Sequence, residues 1–155
     1  MAIVFFDTSA LIKRYDQAEA GANRVLELCD RALGNTLMVS ALVSAELASA
    51  LSRKVREGRL SVPERDDHWA AFRDDERDEY RTQLWTSDIR ETAERLVFLY
   101  PLKAYDAVHL ATALQVSRVL APLPGDLVFC TADRAQARAA AAEGLAVELS
   151  GGPPA

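Results

Sequence analysis

Four acidic side chains stand in apolar surroundings: Asp7, Glu46, Asp106 and Asp133. Asp7 ends the run Ile3-Val4-Phe5-Phe6. Glu46 interrupts Ser40-Ala-Leu-Val-Ser-Ala-Glu-Leu-Ala. Asp106 opens Asp-Ala-Val-His-Leu-Ala-Thr-Ala-Leu, and Asp133 follows Leu127-Val128-Phe129-Cys130 after a Thr-Ala spacer. An unpaired buried carboxylate is costly, so four of them beside buried elements call for a shared counter-charge. A hard divalent cation, Mg²⁺ or Mn²⁺, is the simplest one. Such an ion takes oxygen ligands, shares its shell with substrate phosphate, and can activate water for displacement at phosphorus.

The elements that must position these acids can be read from periodicity. Residues 3–6 are continuously apolar, as in a parallel strand covered on both faces. Residues 37–40 and 127–130 repeat that pattern, 83–86 is a weaker strand, and 145–149 a last one. Helical spacing predicts helices over 9–15, 18–33, 43–57, 63–80, 89–99, 104–120 and 133–143, with Gly58 and Gly144 as stops. Ser87-Asp88 reads as the cap of the 89–99 helix. The alternation predicts an α/β fold: a three-layer α/β/α sandwich with a mainly parallel central sheet. In such sheets ligands bind beyond the carboxyl ends of the strands. Asp7 and Asp133 fall just past strand ends. Glu46 and Asp106 fall in first helical turns entering from the same side, so all four can converge.

Each acid also has an ordinary structural reading. Asp7 and Asp133 could cap the helices they precede. Asp106 could serve its helix dipole, and Glu46 could be exposed. Arg53, Lys54, Arg56 and Arg59 suit a helix C-terminus equally well as they suit the phosphates of a polyanion. His109 lies three residues after Asp106 and reads as a hydrogen-bonding core residue that could assist the site. His68 reads as a surface residue, and Trp69 and Trp85 as core.

The chain of 155 residues suits one domain, placed at 1–149 with a disordered tail at 150–155. Cys29 and Cys130 read as buried reduced thiols, without zinc-site spacing. The N-terminal apolar run is short for a signal peptide, and no segment reaches the length of a membrane span, so a cytoplasmic location without membrane partner is expected. Net charge is −5, with 23 acids against 18 bases. The segment 64–79 alone holds that excess, so composition does not argue against a nucleic-acid partner. Its plain reading is a solvated helix face with Trp69 and Phe72 turned inward; a docking surface for a basic partner is the alternative.

The stretch Asp7-Thr-Ser-Ala-Leu-Ile-Lys-Arg-Tyr resembles the opening of PIN-domain proteins, in particular VapC-type toxins of type II toxin–antitoxin pairs. Ser44-Ala-Glu46-Leu, Tyr105-Asp106-Ala-Val-His-Leu-Ala-Thr-Ala and Thr131-Ala-Asp133 resemble that family's next motifs, in order, over residues 3 to about 148. The resemblance implies a metal-dependent endoribonuclease, active with Mg²⁺ or Mn²⁺, that leaves a 5′-phosphate and a 3′-hydroxyl. It implies Asp7 and Asp106 as principal metal ligands, Asp133 and Glu46 completing the acidic set, and Thr131 and Ser9 hydrogen-bonding within it. It also implies a cognate antitoxin and a homodimer. Two rivals remain at this point. One is another Mg-dependent phosphoesterase; an aspartyl-phosphate enzyme would want a second Asp where Ser9 stands. The other is a non-enzymatic RNA- or protein-binding module.

Overall fold

The apolar runs become the strands of a single sheet, and the amphipathic segments cover both of its faces. The computed structural model describes residues 1–121, 123 and 125–151. The strands are β1 (Ile3–Phe6), β2 (Thr36–Ser40), β3 (Tyr80–Gln83), β4 (Leu127–Thr131) and β5 (Ala146–Leu149). Every neighbouring pair is parallel, in the order β3-β2-β1-β4-β5. The chain builds outward from β1 to β3, then crosses to the other side of β1 for β4 and β5. The order therefore reverses between β1 and β4, where an open parallel sheet leaves a crevice beyond its carboxyl edge.

Among the described residues seven α-helices flank the sheet: α1 (Thr8–Tyr15), α2 (Ala22–Leu28), α3 (Val43–Arg56), α4 (Val62–Asp78), α5 (Ser87–Leu99), α6 (Ala104–Leu120) and α7 (Arg134–Ala142). The two-residue strand period sorts the core into two layers. Val4, Phe6, Leu37, Val39 and Cys130 pack against α1 to α4 through Leu11, Val25, Leu47 and Phe72. Phe5, Met38, Leu127 and Phe129 pack against α5 to α7 through Ile89, Leu96, Leu110 and Ala140. With both faces covered, the central strands have no solvent side on which to place polar residues.

The acidic segment forms α4, started by a capping box between Ser61 and Glu64. Its Phe72 is fully buried, edge-on to Tyr15 at 5.9 Å, with Trp69 half-buried beside it. Asp75 and Glu79 pair with Arg14 of α1 at 3.4 and 2.7 Å, so part of the acidic excess docks the helix.

Four expectations are corrected. The span 18–33 is not one helix: only Ala22–Leu28 is α-helical, followed by a 3-10 turn at Arg31–Leu33. A turn intervenes because buried Lys54 holds both Asp16 and Glu19, and Gly21 closes it at φ +84°. The third strand lies at 80–83 rather than 83–86. Tyr80 is buried and its hydroxyl meets that of Tyr15 at 2.6 Å, which sets the register. Leu84 and Trp85 are left 67% and 52% exposed, so Trp85 is not core. The next helix is capped by Thr86, whose hydroxyl accepts from the Ile89 N–H, rather than by Ser87. At the chain's end, Ser150 is buried; its N–H donates to Thr131 O and its carbonyl accepts from Lys13 Nζ. Ser150 and Gly151 of the expected tail are among the described residues, and positions 152–155 lie outside them.

Candidate active site

Asp7 follows directly on β1, and its N–H donates to Cys130 O, so strand pairing continues up to the carboxylate. The side chain is 1% exposed and does two things at once. Oδ1 accepts from Ala10 N at 2.9 Å, capping α1, and from Ser9 Oγ at 2.8 Å. Oδ2 accepts from Thr131 Oγ1 at 2.5 Å and from Gln136 Nε2 at 2.9 Å. The cap and the site are thus the same residue. Burial pushes the Asp7 carboxyl above the usual range, against the bond from Thr131, the nearby His109 and the bonds from Ala10 and Ser9.

Asp106, in the first turn of α6, is half-buried and accepts from the same Gln136 Nε2 at 3.3 Å. Burial raises its pKa as well, and the charges of Asp133, Asp7 and Glu46 raise it further. Asp133 caps α7 by accepting from Gln136 N at 2.9 Å, while its own N–H donates to Thr131 Oγ1. Glu46, in the first turn of α3, lies 3.3 Å from His109 Nε2. Burial works to raise the Glu46 pKa, but the His109 contact and Thr8 outweigh it and hold the carboxyl below its usual range. All four acids line one cleft of about 640 Å³.

His109 is 1% exposed and also lies 3.3 Å from Thr8 Oγ1, so it fixes Glu46 from behind. Gln136 is the residue the sequence did not single out. Asp133-x-x-Gln136 reads as a capping box, in which the amide would turn back to the cap. It reaches Asp7 and Asp106 instead, is itself 1% exposed, and leaves Oε1 buried without a partner among the described residues. The signal was an amide at helical spacing with buried Ala139 and Ala140 in an otherwise Ala-rich helix. The basic cluster divides. Lys54 is buried with Asp16 at 2.6 Å, Arg59 leans on Glu19 and Glu57, and Arg56 is exposed away from the cleft. Arg53, Lys54 and Arg59 all line the cleft, and of these three Arg53 has no acidic partner among the described residues.

The donor set suits a hard cation. It is made of carboxylate oxygens, and among the described residues no Lys or Arg pairs with Asp7, Glu46, Asp106 or Asp133. Two carboxylates with raised pKa share one neutral amide, which is a weak substitute for a positive charge. Among the described residues no three His, Cys, Asp or Glu close on a point as a finished cage.

Fold and site together define an open parallel α/β protein with an acidic crevice at its switch point. The chain belongs to the PIN-domain family, whose model matches residues 4–142. Ribonuclease VapC45 of Mycobacterium tuberculosis is 33% identical over 120 residues, 75% of this chain and 78% of that protein. The crystal structure of VapBC2 from Rickettsia felis, bound to a promoter DNA fragment, aligns with a TM-score of 0.64 at 14% identity, covering 96% of this chain and 98% of that one. A toxin–antitoxin complex from Klebsiella pneumoniae aligns with a TM-score of 0.54 at 22% identity, covering 84% and 86%.

Proposed function

We propose that the chain is a metal-dependent endoribonuclease that cleaves RNA phosphodiesters as the toxin of a toxin–antitoxin pair. The observation that carries this is the pair Asp7 and Asp106, held on one amide donor in the cleft, with no Lys or Arg paired to either among the described residues. The ribonuclease relative and the family support the substrate class. Asp7 and Asp106 would hold Mg²⁺ or Mn²⁺, with Asp133 and Glu46 completing the acidic set. When bound, the ion supplies a water of lowered pKa and neutralises charge developing at the phosphate. The chain's own residues prepare the place for it. Thr131, Ser9 and Gln136 fix both Asp7 oxygens, and His109 holds Glu46 at the cleft wall.

The test is total RNA incubated with purified protein and Mn²⁺ or Mg²⁺, beside Asp7→Asn and an EDTA control. Discrete fragments from the parent, absent in both controls, are the expected result. Equal cleavage by Asp7→Asn would remove Asp7 from its role. The same proposal includes a cytoplasmic location, a small antitoxin partner and a homodimer. No helix of the described residues is long and apolar enough to cross a membrane. Val97, Phe98 and Leu99 at the end of α5 are exposed, Phe98 by 90%, and offer an apolar surface for a second copy. Growth arrest relieved by co-expressing the adjacent small reading frame tests the antitoxin. Light scattering of parent and Phe98→Glu tests the dimer.

A further inference from the structure

One aromatic residue of the cleft has no part in this chemistry. Three of the chain's four tyrosines engage their hydroxyls. Tyr15 donates to Asp75 and meets Tyr80, Tyr80 accepts from Arg14, and Tyr100 donates to Glu143. Tyr105 is 59% exposed, lines the cleft beside Asp106, and has no hydrogen-bond partner among the described residues. It is an open π-face next to the acids.

The α3 wall of the cleft is built to admit something flat. Leu42, Ala45, Glu46, Ser49, Ala50 and Arg53 recur at helical spacing and all line it. The small side chains of Ala45, Ser49 and Ala50 leave width. Arg53 lies two helical turns beyond Glu46, roughly 10 Å at the α-helical rise. Lys103, at the N-terminal end of α6, lines the same cleft. Lys54 and Arg59 spend their charge on Asp16, Glu19 and Glu57. Among the described residues neither Arg53 nor Lys103 pairs with an acid. Two uncommitted cations flanking an acidic centre suit a polyanion: the attacked phosphate at the acids, its neighbours at the cations.

We infer that Tyr105, with Lys103 beside it and Arg53 on the α3 wall, forms a subsite for an unpaired nucleotide of single-stranded RNA next to the cleaved bond. The base stacks on the Tyr105 ring, and the neighbouring phosphates meet Lys103 and Arg53. A base inside a duplex offers no free face, so the subsite selects loops and single strands. This rests on the nuclease assignment for the choice of RNA.

The test measures binding of fluorescent oligo(A), oligo(U) and a hairpin duplex in EDTA, so that affinity does not depend on a metal. Tyr105→Leu is expected to weaken single-strand binding about tenfold, while Tyr105→Phe keeps it. Arg53→Gln and Lys103→Gln should each lower the salt slope by about 0.7, and Tyr105→Leu should leave it unchanged. Equal binding by parent and Tyr105→Leu overturns the subsite. So does a loss in Tyr105→Phe as large as in Tyr105→Leu, or a loss confined to binding of a protein partner. The two proposals fail separately. A parent that leaves total RNA uncut, with Tyr105→Leu still deficient in binding, keeps the subsite and sinks the nuclease assignment. A cutting parent with an unimpaired Tyr105→Leu does the reverse.

Discussion

Gln136 gives the sharpest physical test of the acidic centre, through the near-isosteric change Gln136→Glu. Its Nε2 donates to Asp7 Oδ2 at 2.9 Å and to Asp106 Oδ1 at 3.3 Å. A carboxylate in that place repels both. Two unit charges about 4 Å apart repel by about 4 kcal/mol at the effective dielectric of protein sites. Protonation sets a ceiling on the penalty, because a neutral glutamic acid can again donate to Asp7. Keeping it neutral costs about 1.4 kcal/mol for each pH unit above ~4.3, so about 4 kcal/mol at pH 7 and about 1 at pH 5. For a chain this long, 1 kcal/mol moves the melting temperature by about 3 °C. Thermal denaturation in EDTA should therefore place Gln136→Glu about 10 °C below the parent at pH 7 and about 3 °C below at pH 5. Added Mn²⁺ should narrow the gap, since a cation takes over the amide's work. A gap that ignores pH, or no gap, would refute the bridging role of Gln136.

Burial raises the Asp7 pKa in the folded state, so its ionisation costs stability, and that cost enters as pH rises through the folded value. In EDTA, Asp7→Asn should gain on the parent in melting temperature as pH rises above the ordinary carboxylate range. Lys54→Met leaves Asp16 and Glu19 without their buried cation and should cost about 3 kcal/mol, read from the urea midpoint. Phe72→Ala empties the contact between α4 and the core and should cost about 4 kcal/mol, again by urea. A loss under about 1 kcal/mol would mean that α4 is held by its ion pairs instead.

Both the sheet and the four acids were legible because their signals are local. Unbroken apolar runs such as Ile3–Phe6 have a single explanation when both faces are covered, and an acid at the end of such a run stands out. Asp7 and Asp133 each cap a helix and also line the cleft. A carboxylate has two oxygens, and Asp7 uses one for the cap and turns the other to Thr131 and Gln136. What escaped depends on contacts distant in sequence. The break after Asp16 is imposed by Lys54, and the register of β3 by Tyr80 meeting Tyr15. Gln136 carries a capping-box spacing that its long-range partners override. The basic cluster on α3 looked uniform, yet only the fold could give Lys54 its acidic partners and leave Arg53 without one among the described residues.

The placement of Asp7 on the innermost strand has a consequence for how the molecule breathes. β1 is flanked by β2 and β4, covered on both faces, and bonded to Cys130 O at Asp7 itself. Amide hydrogen exchange should be slowest at 4–7 and 128–131, requiring global opening, while the first turns bearing Glu46 and Asp106 exchange through smaller openings. Warming would then loosen Glu46 and Asp106 while Asp7 still holds. Mn²⁺ affinity would fall below the melting transition, and it would return on cooling, because the strand that locates the centre never let go.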